Sequence, residues 1–178
     1  HIGLVNSDRN LHSVLEGYIE PHDAIYDHPI GFHVIPGKLS PHVVDYRLLK
    51  EKLDPLREHY DVILIDSSPS LNDEMLAVME ASDELLVVSS PDYPTLSSTL
   101  HAITVAQDQG TKIRGLVVNK VRGKSFELSN KDIKNASNAK VLESLPEDIK
   151  VLSSLSRMIP VVYDHPKRDI SHKFKRLA

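Results

Sequence analysis

Three short stretches are dominated by branched apolar residues: Asp61-Val-Ile-Leu-Ile-Asp66, Glu84-Leu-Leu-Val-Val-Ser89 and Ile113-Arg-Gly-Leu-Val-Val-Asn119. Their apolar positions run consecutively instead of alternating with polar ones, which is the pattern of strands buried on both faces in a parallel sheet. Between them the period changes to that of helices. Asn72 or Asp73 can cap a helix on which Met75, Leu76 and Met79 share a face, and Leu96, Leu100, Ile103 and Val105 or Ala106 repeat at helical spacing after Pro94. Strand, helix, strand, helix, strand is the βαβ rhythm. Upstream, the pattern predicts a short helix over Leu11–Gly17, a strand over Phe32–Ile35 and an amphipathic helix over Val44–His59, the last two separated by Pro36-Gly37. Downstream it predicts a helix over Asn130–Ala136, a strand over Lys140–Leu145, a helix over Asp148–Leu155 and a terminal helix over Arg168–Leu177. The expectation is a single α/β domain over residues 1–178, a doubly wound, mainly parallel sheet flanked by helices. Ligands of such folds bind beyond the carboxyl ends of the strands.

Composition narrows the chemistry. The 178 residues contain no Cys, which removes disulfide frameworks, thiolate-held metal or iron–sulfur sites and thiol nucleophiles. No apolar run is long enough to span a membrane, and no signal-peptide pattern opens the chain, which is the expectation for a cytoplasmic protein. The net charge of −4 is unevenly placed: residues 1–100 hold 6 basic against 17 acidic side chains, and residues 101–178 hold 15 against 8. The ten His show no His-x-x-x-His spacing, so they read as packing or solvated side chains. A Gly-x-Ser-x-Gly elbow is absent too.

The candidate chemistry stands at strand ends. Val62-Ile-Leu-Ile-Asp66, followed by Ser67-Ser68-Pro69, is a Walker B arrangement, in which the acid can hold Mg²⁺ directly or through a water. Asp66 can equally be a turn or capping residue. Asn119, at the end of a later strand, could offer a paired donor and acceptor to a purine edge, or simply turn the chain. The loop Leu145-Pro-Glu-Asp148 could line a base with backbone groups, or be an ordinary helix start.

In this order and spacing the segments resemble the MinD/ParA family of deviant Walker ATPases, in its archaeal MinD-like branch. The resemblance covers nearly the whole chain. Leu11-His-Ser-Val-Leu-Glu-Gly17 is similar to the helix after the family's first switch, and Phe32-His-Val-Ile-Pro-Gly37 to its strand into a small-residue turn. Asp61–Ser70 is similar to Walker B plus the second switch, and Ser89–Ser98 to a segment near the family's dimer interface. Val117-Val-Asn-Lys-Val-Arg122 matches the strand whose Asn contacts adenine, and Leu145–Asp148 the loop that encloses the base. Ile159-Pro-Val-Val162 and Asp164-His-Pro166 are similar to the closing segment before the last helix. The resemblance implies ATP and Mg²⁺ as cofactors, Asp66 as the metal-holding acid and Asp92 as a second candidate catalytic acid. It implies Asn119, Pro146, Glu147 and Asp148 as nucleotide contacts. It also implies an ATP-dependent homodimer that works as a switch in cell division or intracellular positioning.

One element of that family is missing from the pattern. No stretch reads Gly-x-x-x-x-Gly-Lys-Ser/Thr; Gly123-Lys-Ser125 imitates its end, but Val118 stands where the first Gly belongs. The chain opens on His1 in mid-pattern, as expected for a piece of a longer or trimmed polypeptide, and the resemblance implies a phosphate loop within about 40 residues upstream. The expectation is a full-length ATP hydrolase, with residues 1–178 alone inactive and exposing a free sheet edge. Two other classes stay open: a receiver-like phospho-acceptor domain using Asp66 and Lys120, and a non-catalytic interaction domain. Partner classes stay open as well. The terminal segment, with Ile170, Phe174 and Leu177 on one face and basic residues opposite, suits docking on the sheet better than a membrane surface. A regulatory protein and weak DNA binding are the remaining candidates.

Overall fold

A computed structural model describes residues 8–38, 44–68 and 70–178. His1 and Pro69, named above, lie outside the described residues. The chain divides into two compact units, one formed by the described residues up to Ser82 and the other by Asp83–Ala178.

In the first unit, helix α1 (Leu11–Leu15) starts where the side chain of Asn10 accepts the Ser13 N–H at 3.0 Å. It ends at Gly17, whose φ of 76° lets the chain turn away. Strands β1 (Tyr26–His28) and β2 (Phe32–Val34) form an antiparallel hairpin in register Asp27↔His33. Only the second of these is visible as a strand in the apolar pattern. The amphipathic helix expected over Val44–His59 is broken into a 3₁₀ turn (Tyr46–Leu48), the α-helix α2 (Leu49–Leu53) and a second 3₁₀ turn (Asp54–Glu58). Pro55 explains the break: without an N–H it cannot continue the i→i−4 series. Helix α3 (Asp73–Ala81) is capped by Asn72, which accepts from Met75 N at 3.0 Å. The core of the unit is Leu15, Val44, Leu49, Ala77, Val78 and Ala81, with Ile65 packed against it.

The segment 61–68 departs from expectation. Among the described residues it joins no sheet, and Val62 and Leu64 are 70% and 88% exposed. A strand is defined by its pairing, and the apolar run alone does not supply a partner.

The second unit carries the parallel sheet, in order β3-β4-β5, formed by β3 (Glu84–Ser89), β4 (Lys112–Val121) and β5 (Val141–Pro146). Helix α4 (Tyr93–Asp108) connects β3 to β4, and α5 (Asn130–Ser137) connects β4 to β5. After β5 come α6 (Ile149–Ser156), the single turn α7 (Val161–Asp164) and α8 (Asp169–Leu177). β4 is the central strand, and its side chains alternate between two cores. Leu116 and Val118 pack with Leu96 and Ile103 of α4 and Ile133 of α5, whereas Val117 packs with Leu145, Val161 and Ile170. Helices thus cover both faces of β4, the doubly wound arrangement expected. β3 is an edge strand, and the expectation that it is buried on both faces fails at Leu86 and Val88, which are exposed.

Gly115 marks the start of the buried run in β4. Its φ is 156°, and a Cβ there would lie 2.7 Å from both Leu142 Cγ and the Lys140 carbonyl oxygen. The register of β4 against β3 is irregular at this point, with Leu85 opposite Ile113 but Leu86 opposite Gly115, and against β5 it shifts between Leu116 and Val117. Gly115→Ala is expected to lower stability by about 1–3 kcal/mol, because the clash is with backbone as well as side chain. Urea unfolding monitored by circular dichroism checks this through the shift in midpoint.

Candidate functional site

The candidate residues fall on both units, and each set is described by itself. In the first unit, Asp66 ends the apolar run just after Ile65, which is anchored in the core. Its carboxylate is exposed and forms no hydrogen bond or ion pair among the described residues. The next residues are held by α3: Ser68 N–H donates to Glu74 Oε1 at 3.4 Å, and Ser67 Oγ lies 3.5 Å from Met75 Sδ. An unengaged carboxylate on an anchored segment suits a hard cation that keeps part of its water shell.

In the second unit, the carboxyl end of β4 carries the site. Pairing with β5 runs Val117↔Glu143, Val118↔Ser144 and then Val121↔Pro146, so the strand bulges at Asn119 and Lys120. Lys120 takes a left-handed φ of 57°, which costs free energy for a residue with a Cβ. The bulge turns Asn119 out of the ladder while leaving it half-buried. Its Oδ1 accepts the Lys120 N–H at 2.9 Å, and its Nδ2 has no partner among the described residues.

Two contacts fix the loop after β5 onto this bulge. Glu147 N–H donates to the Val121 carbonyl at 2.9 Å, and the Glu147 carboxylate accepts from Arg122 Nε at 2.5 Å and Nη2 at 3.0 Å. Arg122 holds the Glu147 carboxyl below its usual pKa. Asp148 is equally committed: its Oδ1 caps α6 by accepting Lys150 N–H at 2.9 Å, and its Oδ2 accepts from Arg168 at 2.8 and 3.0 Å. Of the candidates for enclosing a base, Glu147 and Asp148 therefore have occupied side chains, and the loop has its backbone and the Pro146 ring to offer. Asp92 is also engaged, as the N-cap of α4, where it accepts Thr95 N–H at 2.9 Å and Thr95 Oγ1–H at 3.0 Å.

Sequence reasoning missed the cations that organise this end of the sheet, Arg122 and Arg168. It also missed Glu127, whose carboxylate accepts the backbone N–H groups of Arg122 (2.9 Å) and Lys124 (3.0 Å) and closes the turn after β4. Those N–H groups, Lys124 first, hold the Glu127 carboxyl below its usual pKa. No periodicity or motif signals pairs that lie 20 and 25 positions apart.

The sequence profile of the AAA domain family matches residues 5–115. An uncharacterized ATP-binding protein of Methanocaldococcus jannaschii is 30% identical over 173 residues, covering 95% of this chain and 65% of that protein. The cell division ATPase MinD of Pyrococcus furiosus superposes with a TM-score of 0.92 at 28% identity, over 99% of this chain and 76% of that one. The septum site-determining protein MinD of Pyrococcus horikoshii, solved with Mg-ADP, gives 0.91 at 26% identity, over 99% and 74%. The chain belongs to the AAA domain family, as a MinD/ParA-like P-loop ATPase fold. It spans just under two thirds of the length of the first of these relatives. That membership removes the receiver-like reading of Asp66 and Lys120.

The half-buried cap at Asp148 carries a pH dependence. The Lys150 N–H, then Arg168, lower its pKa in the folded chain. Its contribution to stability is therefore complete above the ordinary carboxylate range, below about pH 4 it begins to fade, and it is lost as the pH falls through the lowered value. Asp148→Asn is expected to flatten the acid limb of the stability–pH curve relative to the unsubstituted protein, as measured by thermal unfolding from pH 6 to 2.

Proposed function

We propose that residues 1–178, as a single α/β domain, supply the base-binding and metal-holding parts of an ATP-binding ATPase. The protein would act as a nucleotide-dependent dimeric switch in cell division or intracellular positioning. The observation that carries the reading is the bulge at Asn119–Lys120, locked to the 146–148 loop, which leaves one half-buried amide donor without a partner among the described residues at the carboxyl end of β4. Asn119, with Pro146 and the backbone of Glu147 and Asp148, would hold adenine. Asp66 would hold Mg²⁺ through water. Mg²⁺ supplies neutralisation of phosphate charge when bound. Asp92 is proposed to act through its cap of α4, keeping the start of that helix in place, with any catalytic part played from there.

None of the 178 residues forms a Gly-rich Lys-Ser/Thr loop, so these residues alone lack the donors that stabilise a transferring phosphoryl group. On the partner side, the terminal helix α8 supports docking within the fold: Ile170 is buried, and Lys173 and Arg176 both pair with Glu143 of β5. No helix among the described residues is long and apolar enough to cross a membrane. A regulatory protein partner fits the reading best; a peripheral membrane contact or DNA would have to use other surfaces.

Two outcomes test this. In the natural gene product, Asn119→Ala is expected to weaken adenine-nucleotide binding by about 1–3 kcal/mol, measured by calorimetry. An unchanged dissociation constant removes Asn119 from the site. Purified residues 1–178 are expected to show no phosphate release from ATP; turnover abolished by Asp66→Ala would contradict that.

A further inference from the structure

Arg122 is the residue at this end of the sheet with the most connections and no assigned task. Its backbone N–H is held by Glu127 at 2.9 Å, and the flanking Gly123 has a φ of 69°, so the turn that presents the side chain is itself fixed. From that turn the guanidinium makes a bidentate contact to Glu147. The same Glu147 gives its backbone N–H to Val121, next to Arg122 in the chain. Three hydrogen bonds, two from the side chain and one main-chain, thus join the end of β4 and the turn after it to the loop after β5. Asn119 lies in the β4 bulge just before this junction, and Pro146 ends β5 just before Glu147.

We infer that Arg122 and Glu147 form a positioning latch that fixes the spacing between Asn119 and the 146–148 loop, and so tunes affinity for the base of a nucleotide without touching the phosphates. The inference rests on the reading that this end of the sheet takes a nucleotide base. Glu127 serves the latch by fixing the backbone from which Arg122 projects. The pair is half-exposed, with side chains 53% and 46% accessible, so its value lies in geometry more than in net stability. A bidentate Arg–carboxylate fork defines distance and plane together, which a single bond from Lys would not.

The test uses the natural gene product and two ligands, ATP and inorganic tripolyphosphate, the second having charge but no base. Arg122→Ala is expected to weaken ATP binding about three- to tenfold and to leave tripolyphosphate binding unchanged. Exchange of the pair, Arg122→Glu with Glu147→Arg, is expected to recover most of the loss. Asn119→Ala serves as the control for the base site. If Arg122→Ala binds ATP normally while Asn119→Ala does not, the latch is wrong and the base site stands. If neither variant loses affinity, the base-site reading falls and the latch with it. Equal weakening toward both ligands, or no recovery on exchange, would make the pair merely structural and overturn the inference.

Discussion

The geometry of the second unit depends on β4 being covered on both faces. Leu116, Val117 and Val118 are all essentially inaccessible, the first and third against α4 and α5, the second against β5, α7 and α8. A strand whose alternate residues are fully buried on opposite sides cannot slip by one position without exposing the whole set. Its register is therefore fixed up to Val118, and the bulge that follows delivers Asn119 to one place at the carboxyl end of the sheet. Gly115 belongs to the same constraint, since it allows β5 and the chain at Lys140 to approach β4 closely enough for the pairing to form.

Charge is spent on holding elements together. The basic surplus after residue 100 leaves weak DNA binding open in the sequence, yet many of these cations face carboxylates within the unit. Lys112 and Arg114 meet Glu84 across β3 and β4, Arg122 meets Glu147, Arg168 meets Asp148, and Lys173 and Arg176 meet Glu143. Several lie at strand ends or on α8, where they decide how the last helix sits on β5. The field available to steer nucleic acid or a membrane is correspondingly smaller than the count of Lys and Arg suggests.

Much of the fold was legible because local chemistry and tertiary packing agree. Asn72 and Asp148 sit at helix starts and do cap them, and the apolar runs at 84–89 and 113–119 are parallel strands. Legibility failed where a single local feature or a distant partner decides. Pro55 ends the α-helical part of one amphipathic pattern at Leu53 and leaves a 3₁₀ turn after it. The β1–β2 hairpin is too short and too exposed to show a period of two, and is closed instead by local contacts, including the stacked rings of His28 and Phe32, 4.4 Å apart. At 61–66 the sequence reads as a buried strand while Val62, Ile63 and Leu64 stand open, because burial needs a neighbour that composition does not specify. At the site, Asn119 and the 146–148 loop were visible as residue types, but the commitment of Glu147 and Asp148 to arginines was not. That commitment leaves the loop with the backbone groups that its sequence already suggested for lining a base.

The central claim is that the carboxyl end of β4, with the loop after β5, is the face that receives a nucleotide base. Adding Mg-ADP to ¹⁵N-labelled natural gene product and following its amide spectrum tests this most directly. The account predicts that the side-chain amide of Asn119 and the backbone amides of Glu147 and Asp148 shift together and saturate at one concentration, with Gly115 and the middle of α5 unmoved. Saturable binding that leaves Asn119, Glu147 and Asp148 unshifted would contradict it.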